Sequence, residues 1–172
     1  MSFSRRAARA PRADPVRASL VRFIMLPDNA ARKRLIAEHP EAVLISARLP
    51  LRANLTVLEN IAIIPRLREG RSAEDAAETA WRLLECAGRT DIAERRDPDL
   101  GHEERFIAKL LRAITLAPPI ILIDRPGRLL PDTYYPPFVD ATLAALHGRF
   151  EQCWIAEYEW NAPLYPGRVS GT

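Results

Sequence analysis

The sequence predicts an α/β domain: a small parallel sheet with a helical subdomain inserted between its strands. Three observations predict it. Short runs of β-branched, aliphatic and aromatic residues recur at 21–25, 42–46, 120–124 and 152–158. Stretches with helical periodicity lie between them, an alternation typical of a parallel α/β layer. The run Ile120–Ile123 is apolar on both faces until it closes on Asp124, as expected of a strand covered on both sides.

Taken in order, "VRFIM" reads as the first strand, and Pro27, Asp28 and Asn29 supply a turn and a helix cap. "AARKRLIAEH" follows as a helix closed by Pro40, and "AVLIS" as the second strand. Thr56 with Glu59 forms a capping box that opens a helix over Val57–Ile64, with Pro65 and Gly70 expected to end it. Ser72 with Asp75 opens the next helix. Ala77, Ala80, Trp81, Leu84 and Ala87 fall on one stripe there, so Trp81 reads as a packing residue. A polar stretch leads to a helix from Glu103 to about Leu116, with Ile107, Leu110, Leu111 and Ile114 as its apolar face. After the strand at 120–124, the segment 125–137 reads as a loop, Phe138–His147 as a helix and 152–158 as the last strand. The domain is thus expected over 18–160, with the helical subdomain at about 56–116 and a featureless tail at 161–172.

The chain has 172 residues, 48% of them hydrophobic and 27% charged, which suits one globular domain with a core. Its apolar runs fall far short of the roughly 20 residues of a membrane-spanning helix. The net charge of +3 is concentrated at the start: Arg5, Arg6, Arg9, Arg12 and Arg17 face only Asp14. Residues 1–17 therefore read as a flexible basic arm, with weak contact with anionic lipid, docking onto an acidic partner or a targeting role as its alternatives. The remainder, near −1, has no overall basic excess, so nucleic acid is not an expected partner. Cys86, Cys153 and the three histidines are scattered without ligand-like spacing, and no metal is expected.

Two passages carry a family pattern. "LTVLEN" at 55–60 and "LLRAITLAPPIILIDRP" at 110–126 stand in order over a chain that, from 21 to 160, resembles the ATPase domain of the ATP-binding cassette (ABC) family. The first looks like the segment after the Q-loop. The second is similar to the passage joining the signature helix to the Walker B strand. The resemblance implies a reduced P-loop-NTPase-like parallel sheet with an inserted helical subdomain of the ABC type.

It also implies that most phosphate-handling positions are changed. The glycine-rich loop falls on "LPDNAARKR" at 26–34, which has no glycine and no hydroxyl for magnesium, with Arg32 in the place of the lysine. The Q-loop glutamine falls on Ala47, and the signature on "LGHEE" at 100–104, where Glu103 and Glu104 would repel a phosphate. The Walker B acid is kept as Asp124, but the catalytic glutamate position is Arg125, which cannot act as a general base. The late histidine falls on Tyr158. The short interval from Arg32 to Ala47 implies a nucleotide-binding part that is shortened as well as substituted.

The expectation is a noncatalytic ABC-ATPase-like adaptor or stabilising subunit, without cofactor, docked on integral membrane subunits of a transport complex. It would be cytoplasmic and peripheral at the inner face of a membrane. Leu51, Arg52, Leu55, Val57 and Leu58 are the expected docking surface, with Trp154, Trp160, Tyr134 and Tyr135 as a second adhesive patch. A soluble regulator that binds an active ABC ATPase is the alternative, followed by a nucleotide-sensing protein that uses Arg32 and Asp124. An unrelated enzyme using Glu103, Glu104 or Asp132 stands last.

Overall fold

The computed structural model describes residues 20–167; the basic arm at 1–17 and the end of the tail lie outside the described residues. Four strands, β1 (Leu20–Leu26), β2 (Val43–Ile45), β3 (Ile120–Asp124) and β4 (Gln152–Tyr158), form one sheet in the order β1-β4-β3-β2. Every pairing is parallel, with Phe23 opposite Ile155, Ile123 opposite Ile155, and Ile45 opposite Ile123.

The pleat divides this sheet between two cores. Ile45, Ile121, Ile123, Cys153 and Ile155 face one core, and Leu26, Ile120, Leu122, Trp154 and Ala156 face the other. Helix α1 (Asn29–Glu38) covers the second core with Ala31, Leu35 and Ile36. The larger core is covered by α2 (Val57–Glu69), α3 (Ala73–Cys86), α4 (His102–Ile114) and α6 (Tyr135–Ala145), with the short α5 (Pro126–Leu129) between β3 and α6. Both faces are therefore dry, which explains why β3 carries no polar residue before Asp124. The four residues expected on the apolar face of α4 are all buried.

Several expectations need correction. Pro65 does not end α2: the helix runs through it to Glu69, and Gly70, at φ 64°, caps it by donating its N–H to the Pro65 carbonyl. Burial of Ile61, Ala62 and Pro65 itself offsets the lost hydrogen bond of the ring nitrogen. The buried stripe of α3 is Ala76, Ala80, Leu83 and Leu84, rotated from the expected one. Trp81 is therefore 39% exposed and donates its Nε1–H to Glu85 at 2.9 Å. Helix α6 starts three residues early, at Tyr135, because Pro136 and Pro137 sit in its first turn, where no N–H is needed. The tail is not featureless either. Residues 159–164 form a 3₁₀ turn, and Tyr165 is 3% exposed, its ring 5.2 Å from Phe23 and 6.2 Å from Tyr135.

The loop before α2 is built on one side chain. Asn60, 1% exposed, accepts the Arg52 N–H at 2.8 Å and donates to the carbonyls of Arg52, Leu55 and Thr56 at 3.1, 3.2 and 3.0 Å. The capping box predicted from Thr56 and Glu59 is present. The N–H groups of Val57 and Leu58 find the carbonyls of Arg95 and Ala93 at 2.8 and 3.0 Å. In this arrangement Leu51 and Val57 point inward, 3% and 1% exposed.

Candidate functional site

In an open parallel sheet, the loops beyond the carboxyl ends of the strands are where ligand chemistry is placed. Here β3 ends on Asp124, whose side chain is 1% exposed. A lone carboxylate there would be costly, and the chain answers with guanidinium groups. Arg32, on the first turns of α1, reaches across with two hydrogen bonds of 2.6 Å, Nε to Oδ1 and Nη2 to Oδ2. Ser46, at the end of β2, donates its hydroxyl to Oδ2 at 3.2 Å. Arg125 adds Nε to Oδ1 at 3.2 Å and Nη2 to Oδ2 at 3.4 Å, from a backbone held at φ 51°.

The electrostatics follow from this geometry. Burial alone would push the Asp124 carboxyl up, but the bonds from Arg32 and Arg125 outweigh it and hold the carboxyl below the usual range. The same bonds from Asp124 raise Arg32 further against its own burial. Two cations against one anion leave this cluster one positive charge in excess, carried by Arg125.

Of the five vestigial positions, four meet here. Arg32, Asp124 and Arg125 form the cluster itself, and the Tyr158 ring lies 5.7 Å below the Arg125 guanidinium. The Tyr158 hydroxyl reaches Asn29 Oδ1 at 3.5 Å. Ala47 is exposed and takes no part; its neighbour Ser46 does, which the sequence reading missed. The hydrogen-bond partners of the Asp124 carboxylate are thus Arg32, Ser46 and Arg125.

Both helix N-termini to which the resemblance assigns phosphate contacts carry a carboxylate of the chain itself. Asp28 caps α1, its Oδ1 accepting the Ala31 N–H at 2.8 Å. At α4, Glu104 Oε2 accepts the Gly101 N–H at 2.9 Å, while Oε1 takes Arg89 at 2.9 Å and Arg95 at 2.7 Å. Partial burial would raise the Glu104 carboxyl, but these donors together hold it below its ordinary value. A helix N-terminus attracts anions, and an internal carboxylate satisfies that attraction as a phosphate would. Glu103 accepts the Thr133 hydroxyl at 3.1 Å, and the exposed Asp132 lies 3.4 Å from His102. Among the described residues, no group of three or more His, Cys, Asp or Glu is placed to hold a metal ion.

The expected docking surface is split by burial. Leu51 and Val57 belong to the core and present nothing outward, because the Asn60-pinned loop turns them in. Arg52 is exposed, and Leu55 and Leu58 are half-buried. The aromatic patch divides too: Trp154 and Tyr135 are 7% and 8% exposed, whereas Tyr134 and Trp160 stand at 68% and 65%.

The parallel sheet with its inserted helical layer is an α/β fold like that of P-loop NTPases. The chain is homologous, over part of its length and at low identity, to ATP-binding domains of ABC transporters. It is 30% identical over 106 residues to a probable amino-acid ABC transporter ATP-binding protein of Sinorhizobium fredii, a match covering 62% of this chain and 40% of that protein. It is 34% identical over 71 residues to the lipoprotein-releasing system ATP-binding protein LolD of Anaeromyxobacter dehalogenans, covering 41% of this chain and 30% of that one. The matches thus span less than half the length of these curated relatives. The fold is that of the ATP-binding cassette MJ0796, solved as a dimer bound to ADP and Pi, with a TM-score of 0.59 at 17% identity over 85% of this chain and 76% of that one. No family model matches the chain. No helix among the described residues is long and apolar enough to cross a membrane.

Proposed function

We propose that the chain is a noncatalytic, ABC-ATPase-like adaptor or stabilising subunit that docks on integral membrane proteins of a transport complex. One observation carries the reading. The acid that would hold magnesium in a working cassette has both oxygens taken by Arg32 at 2.6 Å. A magnesium ion would have to displace a bidentate, buried guanidinium and would gain only one carboxylate in exchange. Arg125 beside it stays protonated and cannot accept a proton from an attacking water. Asp28 and Glu104 place negative charge where a triphosphate would bring its own.

What is retained supports docking. The resemblance implies that the loop before "LTVLEN" faces membrane subunits, and this loop is held rigid by Asn60. Arg52 is exposed on this loop, the half-buried Leu55 follows it, and the exposed Leu49 precedes it. Rigid presentation of a guanidinium with flanking aliphatic groups suits a protein partner.

Purification of the full chain from its native membrane in mild detergent tests this reading. Integral membrane proteins should co-elute, and the double variant Arg52→Glu with Leu55→Asp should lose them. Recovery of a soluble ATPase in their place would favour the regulator instead. Saturable binding of ATP with magnesium tighter than about 100 μM, roughly 5.5 kcal/mol, would overturn the noncatalytic reading.

A further inference from the structure

Beside the Asp124 cluster, the same end of the sheet holds a cavity of about 460 Å³ between α5, the start of α6 and the end of β4. Its volume lies within the range of small-molecule sites, about 300–1,000 Å³. Its lining chemistry is uneven. Glu157, on β4, lines it while being only 2% exposed. The Glu157 carboxylate takes the Tyr158 N–H at 2.9 Å and the Tyr135 hydroxyl at 3.2 Å, both neutral donors, and no cation pairs with it among the described residues. Nothing in the noncatalytic role needs a buried acid there, and burying one without a cation is costly.

The rest of the lining has the opposite sign and an aromatic wall. Arg125 carries the positive charge left over once Arg32 has balanced Asp124. Arg128 is exposed at the mouth. Trp160, 65% exposed, stacks on Tyr158 with ring centroids 4.2 Å apart, a flat surface suited to an apolar or aromatic group. Gly127 matters to the shape: a Cβ there would come within 3.0 Å of the Tyr135 ring that delivers its hydroxyl to Glu157.

We propose that this cavity binds an amino acid with an aromatic side chain. The ligand ammonium group pairs with Glu157, its carboxylate with Arg125 and Arg128, and its ring lies on the Tyr158–Trp160 wall. A simple amine would leave the guanidinium side unmatched, and a simple carboxylate would leave Glu157 unmatched. The site is separate from the Arg52–Leu55 loop and stands whether or not the docking reading holds.

Calorimetric titration of the full chain with phenylalanine, phenethylamine and 3-phenylpropanoate tests the assignment, because the three share a ring and differ in charge. Phenylalanine should bind saturably, with each analogue at least about tenfold weaker, or 1.4 kcal/mol. Glu157→Gln should weaken phenylalanine by at least about tenfold. Arg128→Gln, at an exposed position that cannot threaten folding, should weaken it by about threefold. Phenylalanine should also change the tryptophan fluorescence of the chain, and that change should be lost in Trp160→Phe. Absence of saturation up to about 10 mM, roughly 2.7 kcal/mol, overturns the proposal. So does equal affinity for either analogue, or full affinity in Arg128→Gln.

Discussion

Two clusters in this molecule have the same chemistry, a carboxylate among guanidinium groups, and differ in burial. Asp124 is 1% exposed and held by Arg32 and Arg125 at the carboxyl end of β3. Glu104 is 19% exposed and held by Arg89, Arg95 and the Gly101 N–H at the start of α4. Both stand where the resemblance to cassette ATPases implies phosphate handling. At Asp124 the ions are desolvated, so each depends on the other; at Glu104 water can replace a lost partner. Equivalent substitutions can thus make a structural keystone in one place and a surface adjustment in another.

The largest expected effect breaks the buried pair. Arg32→Met leaves Asp124 with only Arg125 and Ser46, and should cost about 3–5 kcal/mol in urea unfolding. Adding Asp124→Leu should restore only part of that, since it removes the weakened carboxylate but leaves Arg125 without its partner. A cost below about 1 kcal/mol for Arg32→Met would erase the distinction between the two clusters.

Acid titration sharpens the comparison next. The folded-state carboxyl of Asp124 titrates below its unfolded value of about 3.9. Its contribution is therefore complete above that value and is lost as pH falls through the depressed one. The stability gap between the wild-type chain and Asp124→Asn should accordingly narrow in acid, measured as the urea midpoint against pH. Glu104→Gln should show the same sign with a smaller amplitude.

At neutral pH, Glu104→Gln should cost only about 1 kcal/mol, and roughly 1 M salt should remove most of that cost by screening. The cost of Arg32→Met should persist in the same salt. Smallest of all, Trp81→Ser, outside both clusters on an exposed face, should stay within about 0.5 kcal/mol.

The architecture was legible because its signals are local. The apolar run at 120–124, the periodicity of Ile107, Leu110, Leu111 and Ile114, and the Thr56–Glu59 and Ser72–Asp75 caps each depend on residues a few positions apart. The errors arose where a distant partner overruled a local rule. Pro65 is a helix breaker by propensity, but burial carries α2 through it. Trp81 fits an apolar stripe, but the small faces of Ala76 and Ala80 set how α3 packs and turn the indole outward. Leu51 and Val57 looked available for docking until Asn60 tied down the loop that buries them. Within the candidate site, Arg32, Asp124, Arg125 and Tyr158 could be named in advance by resemblance. Ser46 and Glu157 could not, since neither stands at a position that the resemblance singles out.

By itself, then, the amino-acid order determined the elements, their parallel arrangement and the loss of phosphate-handling residue types, because periodicity, capping and residue chemistry are properties of neighbours along the chain. Only the tertiary structure decided that Arg32 and Asp124 neutralise each other across 92 positions of sequence, and that Glu157 is enclosed beside two arginines. Charge pairing and burial depend on distances through space, which the folded chain alone defines.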